Sequence, residues 1–165
     1  MPKDSAPTRT AILAAAVHTL KRAGLEGFTV EGVARRAGVV KGLVLYHYAS
    51  RSRLLRSAAA QIATERAGGL ARALAKGEGG SAGVDACWEE LRRQTEDGTT
   101  RAWMGLCAAG LIERTDEGGF EATARAALLD GCAAALAAGA PVQDVRDAYH
   151  ALWLALLNLG EAAAD

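Results

Sequence analysis

Apolar side chains recur at spacings of three and four along most of this chain, the period of a helix that turns one face to a core. Ile12, Leu13, Ala16, Val17 and Leu20 make the first stripe, in a helix that starts at Thr8 or Thr10 after a polar, disordered-looking start and stops at Gly24. Leu25 and Phe28 bridge to the next segment, with Phe28 as a core plug. Val30, Val33, Ala34 and Ala37 then share one face and leave Arg35 and Arg36 on the other. Thr29 suits the N-cap of this short helix, Glu31 faces the positive end of its dipole, and Gly38 can take the left-handed conformation that ends it, with Val39 buried at the turn. A third helix begins near Lys41. It sends Val44 and Tyr48 to one side and Lys41, Leu45 and, less directly, Gly42 to the other.

Ser50 caps a long helix from Arg51 through Leu54, Leu55, Ala58, Ile62 and Glu65 to about Ala75, in which Gly68 and Gly69 are a weak point. KGEGGSAG, residues 76–83, is the clearest loop. A helix over about Val84 to Glu96 aligns Val84, Cys87, Trp88 and Leu91, and DGTT turns the chain into a helix from Arg101 to Arg114. That helix carries Trp103, Met104, Leu106, Cys107, Leu111 and Ile112 and should be buried. TDEGG breaks it. A helix from about Phe120 to Ala138 ends at Gly139-Ala140-Pro141, before a last helix over roughly Val142 to Ala163. The last helix is apolar almost all round: Val145, Ala148, Tyr149, Leu152, Trp153, Leu156 and Leu159, with Leu154 and Leu157 between them. A monomer would leave one of its sides bare, so the pattern predicts a homodimer joined through the last two helices of each chain, with Leu152, Trp153 and Leu156 at the seam.

The fold expected is therefore all-α: a three-helix N-terminal domain over residues 1–52 and a helical body over 53–165. With 165 residues, half of them hydrophobic, there is ample material for a core. No apolar run approaches a membrane span and the N-terminus is too polar for a signal peptide, so a cytoplasmic protein is expected. The formal net charge is zero, but it is unevenly spread. Residues 1–60 hold ten Lys and Arg against three Asp and Glu, and residues 61–165 hold nine against sixteen. A basic first third on an acidic body suits a protein that touches phosphate with one end.

Cys87, Cys107 and Cys132 are far apart, with no metal-ligand spacing, and read as free thiols; no metal or cofactor is expected. There is no glycine-rich phosphate loop and no pair of carboxylates on a common face, which argues against an enzyme. Chemistry gathers instead in the third helix. Its first turns could enter a major groove, while Tyr46, His47 and Arg51 supply hydroxyl, imidazole and guanidinium donors for phosphate oxygens.

These residues resemble the TetR-type transcriptional repressors, whose signature runs Thr-Val-x-x-Val-Ala-x-x-Ala-Gly-Val-x-Lys-Gly-x-Leu-Leu-Tyr-His-Phe-x-Ser-Lys. Thr29, Val30, Val33, Ala34, Ala37, Gly38, Val39, Lys41, Gly42, Leu45, Tyr46, His47 and Ser50 match it, with Tyr48 in place of Phe and Arg51 in place of Lys. The resemblance covers about residues 8–57. It implies a helix-turn-helix that binds duplex DNA and a body that binds ligand and dimerises. Two departures from the family's usual residues matter. Val40 stands where Ser or Thr usually opens the recognition helix, and Leu43 replaces a small polar residue, where it could meet a thymine methyl or a sugar.

The expected interface comprises Thr29, Lys41, Tyr46, His47 and Arg51 on phosphate, with Lys41, Gly42, Leu43 and Leu45 nearest the bases of a pseudopalindromic operator. A small apolar or aromatic effector would meet Trp88, Trp103, Met104 and Cys107 in the body, although a stripe at helical spacing is more often ordinary packing. The competing expectation is an α-helical interaction or ligand-binding bundle whose helix-turn-helix is architectural, and salt-dependent duplex binding separates the two.

Overall fold

A computed structural model describes residues 5–76, 81–112 and 119–162. Eight helices and no strand occur among them: α1 (Ser5–Ala23), α2 (Val30–Ala37), α3 (Lys41–Tyr48), α4 (Arg51–Ala75), α5 (Ser81–Glu96), α6 (Thr99–Ala108), α7 (Gly119–Ala137) and α8 (Val142–Ala162). Residues 77–80 of the loop expected at 76–83, most of the TDEGG break, and the side chains of Leu157 and Leu159 lie outside the described residues, while residues 81–83 of that expected loop already belong to α5.

The chain forms two compact units. The first comprises the described residues of Met1–Glu65 and Arg101–Glu113. Ile12, Ala16 and Leu20 of α1, Phe28, Val33 of α2, Val44 of α3, and Leu54, Ala58 and Ile62 of α4 close its core, joined by Ala102 and Leu106 of α6. Burying such side chains stabilises by roughly 1.5–3 kcal/mol each before entropy is counted. Polar ties fix the ends of the elements: the Tyr48 hydroxyl donates to the Arg9 carbonyl at 3.0 Å, and Arg101 Nη2 donates to the Lys21 carbonyl at 3.0 Å, in the last turn of α1. The boundary expected at residue 52 falls inside this unit, because the first turns of α4 and most of α6 contribute side chains to the same core.

The second unit holds the described residues of Arg66–Thr100 and Arg114–Asp165. Val84, Cys87, Trp88 and Leu91 of α5 pack with Leu128, Leu129, Cys132 and Ala133 of α7 and Val145, Tyr149 and Trp153 of α8. The Tyr149 hydroxyl donates to the Val84 carbonyl at 2.8 Å, and burial pushes the phenol well above its ordinary pKa. Burial likewise raises the Cys87 and Cys132 thiols. At the start of this unit Arg66 is buried, and its guanidinium donates to Gln94 Oε1 at 3.0 Å and to Asp130 Oδ1 at 2.9 Å, linking α4, α5 and α7.

Several bounds differ from the sequence expectation: α1 already starts at Ser5 rather than at Thr8 or Thr10, and α5 at Ser81 rather than near Val84. α4 runs unbroken through Gly68 and Gly69, and a Cβ at Gly69 would collide with the Glu90 carboxylate of α5, so this glycine permits close approach rather than a break. α6 ends at Ala108, six residues before the expected Arg114, because Gly110 takes φ 67° and the Gly110 and Leu111 amides turn back onto the Cys107 and Leu106 carbonyls at 3.0 and 2.9 Å.

Candidate nucleic-acid interface

The geometry of α2 and α3 follows from three local signals. The Thr29 hydroxyl accepts the Gly32 amide at 3.0 Å, which fixes the start of α2. Gly38, at φ 68°, ends it: the Gly38 amide meets the Arg35 carbonyl at 3.3 Å and the Val39 amide meets that of Ala34 at 3.0 Å. Val39 is half-buried against the core. Val40 then opens α3 with no side-chain cap, as its chemistry requires, and is 74% exposed.

α3 divides cleanly. Val44 and Tyr48 are buried, whereas Lys41, Gly42, Leu45 and Tyr46 are exposed, Tyr46 to 77%. Nothing lies within 4 Å of a Cβ placed on Gly42, so backbone there is open to an approaching surface. Leu43 and His47 are half-buried, and the His47 ring stands edge-on to Tyr46 with centroids 5.2 Å apart. The exposed edge thus offers an ammonium, a phenol and an aliphatic side chain, the mixture that phosphate and base edges require.

Besides Thr29, whose hydroxyl is taken by the Gly32 amide, two further expected phosphate ligands have partners within the protein. Arg51 Nε donates to the Phe28 carbonyl at 3.0 Å and its guanidinium lies over the Phe28 ring, so part of this side chain holds the start of α4 to the α1–α2 connection. Lys41 forms an ion pair with Glu31 of α2, and that hydrogen bond holds the Glu31 carboxyl below the usual carboxylate range. The Ser50 hydroxyl accepts the Arg53 amide at 3.2 Å and caps α4. Ala49, at φ 59°, makes the corner before it.

Of the residues expected to meet an effector, Trp88 is buried in the core of the second unit, 5.4 Å from Tyr149 between ring centroids, while Trp103, Met104 and Cys107 are half-buried in the first unit. A cavity of about 510 Å³ in the first unit is lined instead by Leu20, Gly24, Leu25, Arg101, Ala102 and Gly105 among others. Of the residues expected at a dimer seam, Leu152 is 51% exposed and Leu156 half-buried, but Trp153 is turned inward against Tyr149 and is 5% exposed. A groove of about 360 Å³ runs between α7 and α8, lined by Leu128, Gly131, Cys132, Ala135, Ala148 and Leu152 among others. No group of His, Cys, Asp and Glu able to hold a metal ion occurs among the described residues. No helix among them is long and apolar enough to cross a membrane.

Residues 12–58 match the family described as bacterial regulatory proteins, tetR family. Two solved structures share the fold over most of the chain. One is a candidate TetR-family transcriptional regulator from Rhodococcus sp., 24% identical over 87% of this chain and 95% of that one, with a TM-score of 0.52. The other, from Mesorhizobium loti MAFF303099, is also a candidate TetR-family regulator, 16% identical over 95% of this chain and 98% of that one, with a TM-score of 0.51. No curated protein matches the chain.

Proposed function

With residues 12–58 a tetR-family helix-turn-helix domain, we propose that this protein is a DNA-binding transcriptional regulator: a homodimeric repressor that leaves a pseudopalindromic operator when a small apolar or aromatic molecule binds. The observation that carries the reading is the exposed edge of α3, where Lys41, Gly42, Leu45 and Tyr46 face outward from a helix anchored by Val44 and Tyr48. Such a helix can lie in a major groove, with Tyr46 and His47 on phosphate and Leu43 and Leu45 toward the bases. The basic charge of residues 1–60 supports it.

A second copy would complete the α7–α8 groove, burying Leu152 and bringing two reading heads to half-sites one helical turn apart. Arg101 supports a route from effector to DNA within the first unit, because its bond to the end of α1 ties α6 to the reading head. Ligand binding that favours one position of α6 would then shift the spacing of the heads.

The test is a titration of labelled duplex from the DNA flanking the gene, read by fluorescence anisotropy, with the parent and Tyr46→Ala. Loss of one exposed phosphate contact should weaken binding several-fold without changing the melting temperature. Equal affinity of Tyr46→Ala and parent on every duplex would remove α3 as the reading helix.

A further inference from the structure

The charge pattern of the reading head contains an anomaly. Among ten cations in residues 1–60 there are three acids, and one of them, Glu31, is paired to Lys41, the first residue of α3. We propose that Glu31 is a built-in competitor for phosphate, which occupies the Lys41 ammonium in the free protein and so sets the affinity and salt dependence of DNA binding. The proposal rests on the DNA-binding reading above and concerns the same edge of α3.

Two observations and one chemical equivalence carry it. The pair is open to solvent, with side chains 55% and 63% exposed, so it is weak enough to exchange against an incoming anion. Carboxylate and phosphate oxygens compete for the same donors. The Gly32 amide at the start of α2 is held by Thr29 and not by Glu31, so Glu31 can leave Lys41 without uncapping that amide. In the free head Lys41 is thus neutralised by its own chain, and a phosphate that claims it must displace Glu31 or share the ammonium with it. Because a lysine that trades one anion for another neutralises less net phosphate charge, the pair removes up to one counter-ion from the salt slope of binding.

The experiment is a double-mutant cycle on duplex binding across a series of salt concentrations, using the parent, Glu31→Gln, Lys41→Gln and the double variant, each with a melting curve to verify folding. Glu31→Gln should bind roughly two- to five-fold tighter at moderate salt, the strength of an exposed pair. Its logarithmic salt slope should be steeper by about 0.9. In the Lys41→Gln background the same change should alter neither quantity. An unchanged affinity and slope in Glu31→Gln overturns the proposal. So does a gain of equal size without Lys41, because Glu31 would then act by repelling phosphate directly. A folded parent that binds no duplex at any salt concentration overturns the DNA-binding reading itself, and this proposal with it.

Discussion

Arg66 shows how much one buried charge depends on its neighbours. Its guanidinium is enclosed, with Gln94 on one nitrogen and Asp130 on another, and Gln94 Nε2 donates in turn to Glu90 Oε1 at 2.7 Å. Removing the carboxylate would take a charged partner from a buried cation. Asp130→Ala should therefore cost about 3 kcal/mol in a denaturant titration, far more than the loss of an exposed pair. A cost near 0.5 kcal/mol would mean that water reaches the site. Gly69 carries a related prediction. A methyl there meets the Glu90 carboxylate and the Gln94 amide, so Gly69→Ala should destabilise by roughly 1–3 kcal/mol, although alanine is the better helix former. A melting temperature above that of the parent would show that Glu90 can move aside. None of this was legible in the sequence. Arg66 bonds partners 28 and 64 positions away, and in one dimension it reads as a solvated helix residue.

Helix ends were more legible, because their signals are local. Thr29, Gly38 and Ser50 act where the sequence puts them, each bonding backbone within a few positions, and Val40 leaves α3 without a side-chain cap as expected. The end of α6 was missed for a physical reason: the apolar run continues through Leu111 and Ile112, but those side chains pack on the core from beyond the helix, after the reversal at Gly110. Any L-residue at φ 67° is strained. Gly110→Ala should thus cost about 1 kcal/mol in thermal unfolding, and a neutral result would show that the turn relaxes. The role of Arg51 was legible in kind but not in detail. Its charge and place after Ser50 suggested phosphate, whereas its bond to Phe28 spans 23 positions. Its replacement would perturb the head as well as any DNA contact, which makes Tyr46 the cleaner probe.

Across the chain, the eight helices among the described residues form two compact units and give the all-α fold that the apolar spacing predicts, yet the units do not divide at residue 52, because α6 supplies the head with Ala102 and Leu106. Periodicity reports which face is buried, not which neighbour buries it. Trp153 shows the same limit at the expected dimer seam, since it lies in the core of its own unit. Leu152 and the α7–α8 groove are the proper place to test dimerisation. Leu152→Glu should leave a folded chain that sediments at half the mass of the parent. A parent that is already monomeric at micromolar concentration would refute the homodimer. Whether the basic head reads duplex DNA through α3 is decided by the salt dependence of binding by the parent to duplex from the DNA flanking its gene. Binding should be tight at low salt, falling linearly on logarithmic axes with a slope of about −0.9 for each phosphate engaged, and weaker on a random duplex. Binding that does not change with salt, or that is equal on both duplexes, would contradict DNA reading through α3.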